Sequence, residues 1–141
     1  MTFRIYGYLR ASTDEQDAMR SKTELEAFAK GVGFSICSWF SENESGSKLN
    51  RTELFSLLSI AAAGDVLLVE QVDRIIRLNK LDWETLRKII NDKQIRIVAL
   101  DLPTSHQLLK ATTDEFTERM LSAVNSMMLD MLAAISRKDY E

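Results

Sequence analysis

The sequence contains very few of the residues that usually bind transition metals or form disulfides. Among its 141 residues there is one cysteine, Cys37, and one histidine, His106. An intrachain disulfide is therefore excluded, and a zinc site built from histidine and cysteine ligands is not expected. Cys37 lies in the apolar run FSICSWF, which predicts a buried thiol in the core. We expect no metal and no other cofactor.

Long apolar runs and a strong net charge are also absent. No segment approaches the roughly 20 apolar residues of a transmembrane helix and no signal peptide is visible, so we expect a cytoplasmic protein with no membrane partner. The formal net charge of −3 lacks the basic excess of many nucleic-acid-binding proteins. Any contacts with phosphate must therefore come from a local cluster of basic residues.

The sequence does contain alternating strand and helix patterns over most of its length. Short apolar runs predict strands, and the amphipathic segments between them predict helices. The predicted strands are 3–9, 34–40, 65–70 and 94–100, and the predicted helices are 14–30, 51–63 and 81–91. This order favours an α/β fold with a small, largely parallel sheet flanked by helices, and we expect its core within residues 3–100. The only proline, Pro103, begins a polar connection.

A long amphipathic helix is predicted over residues 112–141, after an α/β domain formed by residues 1–111. Its start resembles a capping box, and apolar residues then recur at steps of three or four. This apolar stripe consists of Phe116, Met120, Val124, Met127, Met131 and Ile135, and is widened by Leu121, Met128 and Leu132. A small sheet could not cover its whole length, so we expect the stripe to bind another subunit. The alternative is that the whole helix packs on its own domain.

The stretch YLRASTDEQ places Ser12 where a strand is predicted to end and a helix to begin. A serine in this position commonly caps the helix. Arg10 lies two residues earlier and would point to the same side of an extended chain. Ser12 can therefore be read either as a cap or as a nucleophile, and this stretch alone leaves both roles open.

Further charged residues follow the third predicted strand, in the segment LLVEQVDRIIRLN. Asp73 and Arg74 are adjacent there, and Arg77 would share a helical face with Arg74. Arg51 opens the second predicted helix. Because residues that follow parallel strands collect in one crevice, these side chains could converge with the arginine and serine of YLRASTDEQ.

Several arginines around a serine indicate phosphoryl transfer without a metal. Arginine stays charged at physiological pH, and its planar donors match phosphate oxygens. Guanidinium groups would take the charge-stabilising role that Mg²⁺ often has. A serine esterase would instead want a base, and His106 lies in a polar segment with no GxSxG motif nearby.

In combination, these segments resemble the catalytic domain of serine site-specific recombinases of the resolvase/invertase group. The resemblance covers residues 4–101 and rests on YLRAST with Gln16, on ESGSKLNR and on GDVLLVEQVDRIIR. It implies that Ser12 is the nucleophile and that Gln16 has a supporting role. It also implies a set of active-site arginines with an aspartate beside them, namely Arg10, Arg51, Arg74, Arg77 and Asp73.

The sequence departs from the family pattern at two places. Ser21 stands where members often have a glutamine. The long helix usually carries a short apolar pattern followed by an acid, and two stretches compete for it: LSAV at 121–124 is followed by Met128, and LAAI at 132–135 is followed by Asp139. We prefer the second register, with Asp139 as a supporting residue. Members also carry a helix-turn-helix DNA-binding domain after this helix, so we expect the chain to be truncated.

The resemblance implies a reaction that needs neither metal nor ATP. The serine attacks a phosphodiester, forms a covalent 5′-phosphoserine link and releases a 3′-hydroxyl. A homodimer assembles into a synaptic tetramer, which exchanges and religates the DNA ends. The partner would be a specific recombination site in DNA, recognised mainly by the C-terminal domain.

Two other functions remain open at this point. One is an arginine-rich phosphodiesterase or nuclease that does not religate its product. The other is a non-catalytic oligomerisation module, in which the arginines bind a phosphate-bearing ligand and Ser12 only caps a helix.

Overall fold

The computed structural model describes residues 3–10, 15–42, 52–76, 78, 80–109 and 114–140, with the backbone alone for residues 15, 17 and 136–140. Its strands are β1 (Ile5–Arg10), β2 (Ile36–Glu42), β3 (Val66–Val69) and β4 (Arg96–Ala99). Its helices are α1 (Glu15–Gly31), α2 (Thr52–Ile60), α3 (Asp73–Ile76), α4 (Lys80–Lys93), a 3₁₀ helix (Pro103–Leu109) and α5 (Glu115–Tyr140). The strands form one sheet in the order β2–β1–β3–β4, and every pair is parallel.

The predicted α/β fold with a small parallel sheet is confirmed, and the differences are local. Strands β1 and β2 begin at Ile5 and Ile36, two residues later than predicted in each case. Helix α2 ends earlier than predicted, at Ile60. The connection after Pro103 forms a 3₁₀ helix, for which a proline in the first position is well suited because its φ is already fixed and it has no N–H to satisfy.

Both faces of the sheet are covered because its central strands are apolar on both sides. All four residues of β3 are buried. Leu67 and Val69 belong to one hydrophobic cluster, with residues of α2, α3, α4 and α5. Val66 and Leu68 belong to the other, with residues of α1 and the 3₁₀ helix. This is the pattern expected of a parallel strand between two helical layers.

The prediction that Cys37 is a buried core thiol is wrong, because its side chain is exposed. Cys37 lies on β2, which is an edge strand in which only Glu42 is fully buried. An apolar run can therefore occur in a strand that is only partly covered.

Trp39 of β2 packs against the neighbouring strand β1. Its ring occupies the space above Gly7, and a Cβ on Gly7 would lie 2.5 Å from that ring.

Helix α5 has two apolar sides. Leu129 and Ala133 are buried in the core, and Asn125 Nδ2 donates a hydrogen bond of 3.0 Å to the carbonyl oxygen of Ile97. The core is therefore not confined to residues 3–100, as the sequence analysis expected. The six residues of the apolar stripe, from Phe116 to Ile135, lie on the other side and are 41–72% exposed. Within the described ranges, neither α5 nor any other helix has the apolar length that a bilayer crossing requires.

Candidate active site at the carboxyl edge of the sheet

Two neighbouring strands end at the edge of the sheet where the charged cluster is predicted. β1 ends at Arg10, which lies opposite Glu42 of β2, and the adjacent β3 ends at Val69 and is followed by Glu70. The strand order reverses between β1 and β3, because the chain passes from β1 outward to β2 and then returns to the other side. In open α/β sheets, ligands bind in the crevice beyond the carboxyl ends of the strands at such a reversal.

The structure brings Arg10, Asp73 and Arg74 to this edge. Arg10 is 7% exposed at the end of β1. Asp73 and Arg74 begin α3, directly beyond β3; Asp73 is exposed and Arg74 is partly buried. Gln16 is exposed in the first turn of α1. Outside the described residues lie Ser12, Arg51, Arg77 and the side chain of Asp139, whose backbone belongs to α5.

The short helix α3 is held firmly although it displays charged residues. Ile75 and Ile76 are each 1% exposed and anchor the turn in the core. The backbone N–H of Val72 donates a hydrogen bond of 3.0 Å to Oδ1 of Asp101, which follows β4. These contacts fix the backbone that carries Arg74, so that its guanidinium can be directed to the edge of the sheet.

Glu42 organises the start of α2. It is 6% exposed, and its carboxylate accepts hydrogen bonds from the backbone N–H groups of Glu53 and Leu54, at 3.3 and 3.1 Å. The hydroxyl of Tyr8 donates a further bond of 3.3 Å. A carboxylate is favourable at a helix N-terminus because the first N–H groups have no partner within the helix. Glu42 thereby fixes the helix that begins directly after Arg51.

Glu70 is a second carboxylate that the sequence analysis did not identify. Its side chain is 10% exposed, and Arg20 Nη1 of α1 donates a hydrogen bond of 2.7 Å to its Oε2. Arg74 Nη2 lies 3.8 Å from its Oε1. Burial would raise the pKa of Glu70, but hydrogen bonds with Arg20, Glu24 and Ser21 and the charge of Arg20 together hold this pKa below its ordinary value. Glu70 is therefore a charged group that contacts an arginine on each side.

Guanidinium groups dominate the chemistry available at this edge. Arg10, Arg20 and Arg74 can donate hydrogen bonds to phosphate oxygens but cannot accept a proton. Within the described residues, no three histidine, cysteine or acidic side chains are grouped so that they could hold a metal ion. His106 has a structural contact instead: its Nε2 lies 2.8 Å from the carbonyl oxygen of Ala99, and its ring packs on Phe28.

A cavity of about 830 Å³ lies elsewhere, between α5 and the amino ends of the strands. Its lining includes Phe3, Gly64, Arg96 and Asn125. The length of the sheet separates this cavity from Arg10 and Arg74, which lie at the opposite edge.

The comparison with known protein families agrees with this geometry. The family model described as "Resolvase, N terminal domain" matches residues 5–140. The chain belongs to the resolvase family. This confirms the resemblance drawn from YLRAST, ESGSKLNR and GDVLLVEQVDRIIR.

Two relatives from Escherichia coli show how far the likeness extends. The chain is 31% identical to a protein named Resolvase over 134 residues, which are 95% of this chain and 60% of that protein. It is 29% identical to the Transposon Tn21 resolvase over 126 residues, which are 89% of this chain and 61% of that protein. The chain thus spans about 60% of the length of these relatives.

A solved structure shares the fold. The C-terminal catalytic domain of ISC1926 TnpA, an IS607-like serine recombinase, aligns with a TM-score of 0.58 over 89% of this chain and 99% of that domain. Only 16% of the aligned residues are identical, so the likeness is one of architecture. The predicted long helix after the sheet is also confirmed, as α5.

Proposed function

We propose that this chain is the catalytic part of a site-specific DNA recombinase of the resolvase/invertase type. The observation that carries the proposal is the pair of arginines at the carboxyl edge of the sheet, where Arg10 ends β1 and Arg74 lies just beyond β3 at the reversal of strand order. Membership of the resolvase family supports the same reading. Ser12 is the proposed nucleophile, and covalent geometry keeps its Cα within about 8 Å of that of Arg10 because only two peptide units separate them.

The proposed reaction conserves the phosphodiester bond energy. Ser12 Oγ attacks the phosphorus of the scissile phosphodiester in line, forms an O–P bond and loses its proton. The bond from phosphorus to the 3′ oxygen breaks, and this oxygen takes up a proton to become a 3′-hydroxyl. The 5′ end of the DNA remains attached as a phosphoserine. Attack by a 3′-hydroxyl from another DNA end then reverses the step and releases Ser12.

The arginines are proposed to stabilise the charge that develops on the phosphoryl oxygens. Arg10 and Arg74 belong to this group, and Arg51 and Arg77 adjoin α2 and α3 in the sequence. Donors that are already positioned for the transition state commonly contribute several kcal/mol, about 3–4 for a single donor. Supporting roles are proposed for Asp73, Gln16 and Asp139.

The apolar stripe on α5 is the proposed interface between subunits. Six apolar side chains that remain 41–72% exposed on one side of a helix are typical of a surface that a partner covers. We propose that this partner is a second copy of the chain, and that dimers pair into a synaptic tetramer on DNA. A net charge of −3 gives the chain little general attraction to DNA. Since the chain spans about 60% of the length of its relatives, recognition of the recombination site is proposed to come mainly from a C-terminal domain outside it. Such a reaction would take place in the cytoplasm.

The test is formation of a covalent adduct with DNA. The full-length protein is incubated with a duplex that carries the recombination site of its element and a nick beside the crossover point, so that the released 3′ strand diffuses away. We expect a protein–DNA species that survives denaturing electrophoresis. Ser12→Ala should abolish it, and Thr13→Val is the matched control that should retain it.

The same experiment distinguishes the two alternative functions. A phosphodiesterase that does not religate would give cleaved DNA without a lasting adduct. A non-catalytic phosphate-binding module would give neither cleavage nor adduct, and Ser12→Ala would leave its ligand affinity unchanged. Either result would overturn the proposal.

A further inference from the structure

We propose that Glu70 positions Arg74 for contact with the scissile phosphate, and that Arg20 supplies the counter-charge that keeps Glu70 from neutralising Arg74. The inference rests on the proposed function, in which Arg74 contacts the phosphate. It adds two positioning residues to the site, one at the end of β3 and one on α1.

The geometry of the three side chains is asymmetric. Arg20 Nη1 lies 2.7 Å from Glu70 Oε2, which is the length of a strong charge-assisted hydrogen bond. Arg74 Nη2 lies 3.8 Å from Glu70 Oε1, which is too long for a hydrogen bond and leaves an electrostatic attraction. Within the described part of the chain, Glu70 Oε1 is buried and accepts no hydrogen bond. Glu70 thus bonds to Arg20 and only attracts Arg74.

Charge explains why this asymmetry matters for a phosphate site. A buried carboxylate beside a single arginine would form a close pair with it and cancel its charge. With Arg20 bonded to the same carboxylate, the two arginines and one glutamate sum to a single positive charge. Arg74 can then attract a phosphate while the carboxylate still limits where its guanidinium lies.

The surroundings of Glu70 support this division of roles. From α1, Arg20, Ser21 and Glu24 face the carboxylate, and from α3 Arg74 does. Glu24 Oε1 also lies 3.0 Å from Arg20 Nη1, and water screens both of these charges because the two side chains are 47% and 51% exposed. Arg20 acts on Glu70 mainly through its direct hydrogen bond of 2.7 Å. The side chain of Glu70 is only 10% exposed, so its charge acts on its neighbours with much less screening.

The inference is tested by measuring the binding of inorganic phosphate at Arg74 with NMR. The Nε–Hε signal of Arg74 is identified by its loss in Arg74→Lys, and its shift is recorded as phosphate is added. In Arg20→Gln, Glu70 should pair closely with Arg74, and the Kd for phosphate should rise about tenfold, as expected for the loss of one charge-assisted interaction. The double variant Arg20→Gln/Glu70→Gln should recover most of the lost affinity.

Two controls separate positioning from a structural role. Arg20→Lys keeps the counter-charge and should stay close to the wild-type Kd, whereas Glu24→Gln removes an exposed carboxylate and should change little. An unchanged Kd in Arg20→Gln, or a double variant that binds no more tightly than Arg20→Gln, would overturn the inference. If Arg20→Gln does not fold, Glu70→Gln decides: a shifted Arg74 signal supports the inference and an unchanged signal contradicts it.

The DNA reaction provides a second readout. In the adduct assay, Arg20→Gln should form the adduct more slowly at saturating DNA, and the double variant should be faster than Arg20→Gln. If the wild-type protein forms no adduct, the proposed function fails, and the phosphate titration still decides the relation between Glu70, Arg20 and Arg74. If the wild type forms the adduct and these variants react at its rate, only the positioning role is contradicted.

Discussion

Trp83 Nε1 donates a hydrogen bond of 2.9 Å to Asp130 Oδ1, and this bond joins α4 to α5. Trp83 is 2% exposed, so its N–H has no access to water as a substitute partner. Arg87 Nη1 donates to the other oxygen of Asp130 at 3.2 Å. One carboxylate therefore fastens the inner side of α5 to the domain while the apolar stripe stays on the outer side.

Asp130→Ala should lower the free energy of unfolding by about 1–3 kcal/mol, because it leaves the buried N–H of Trp83 without an acceptor. Urea denaturation followed by circular dichroism measures the change. Glu115→Ala is the matched control on the same helix. It breaks a pair with Arg119 in which both side chains are about 80% exposed, and it should cost less than about 0.5 kcal/mol. Equal effects of the two substitutions would contradict the anchoring role of Asp130.

Met127→Glu or Met131→Glu should weaken self-association of the chain. These side chains are 55% and 53% exposed, so the domain should stay folded, but a charge in a buried seam without a partner costs several kcal/mol, roughly 3–5. Sedimentation equilibrium measures assembly and circular dichroism measures folding. Ile60→Glu adds the same charge at an apolar residue of α2 that is 54% exposed, and should leave assembly intact. A wild-type chain that is monomeric at tens of micromolar would contradict an interface on α5.

Arg74→Lys should slow DNA cleavage by about 10²–10³-fold while DNA binding changes little. Lysine keeps the charge but lacks the planar pair of donors, and loss of one such transition-state donor has an effect of this size. Single-turnover adduct formation measures the rate. Arg119→Lys makes the same substitution on the exposed surface of α5 and should react at the wild-type rate. Cleavage by Arg74→Lys at the wild-type rate would show that Arg74 does not contact the phosphate.

The stability that Glu70 contributes should depend on pH. Burial alone would raise its pKa, but hydrogen bonds with Arg20, Glu24 and Ser21 and the charge of Arg20 hold this pKa below the ordinary value in the folded protein. The contribution is therefore fully present above the ordinary glutamate pKa and is lost as the pH falls through the lowered folded pKa. Denaturation at neutral and acidic pH should show that Glu70→Gln is less stable than wild type at pH 7 and that the difference shrinks in acid. Arg20→Gln should weaken this pH dependence, because it removes two of the causes that lower the pKa of Glu70. A difference that grows in acid would contradict the account.

The parts of the fold that depend on local patterns could be predicted from the sequence. The apolar run Val66–Val69 is a strand because β-branched and large apolar side chains occupy both of its faces, and the stripe on α5 repeats at helical spacing. The exposure of Cys37 could not be predicted, because an apolar run does not show whether its strand lies at the edge of the sheet.

The carboxylates of the site were missed for a related reason. Glu70 meets Arg20 across 50 residues of sequence, and Glu42 meets the backbone of Leu54 across 12. Such pairs arise from the order of the strands rather than from spacing along the chain. Their only sequence signal is their position at the ends of strands, which Glu42 and Glu70 share with Arg10.

The most direct test of the central claim is to map the residue that is joined to DNA. The trapped adduct is digested with nuclease and protease, and the peptide that carries the phosphate is sequenced by mass spectrometry. The account predicts a 5′-phosphate ester on Ser12, in a peptide that also contains unmodified Thr13 and Ser21. Phosphate on any residue other than Ser12, or a link to the 3′ end of the DNA, would contradict it.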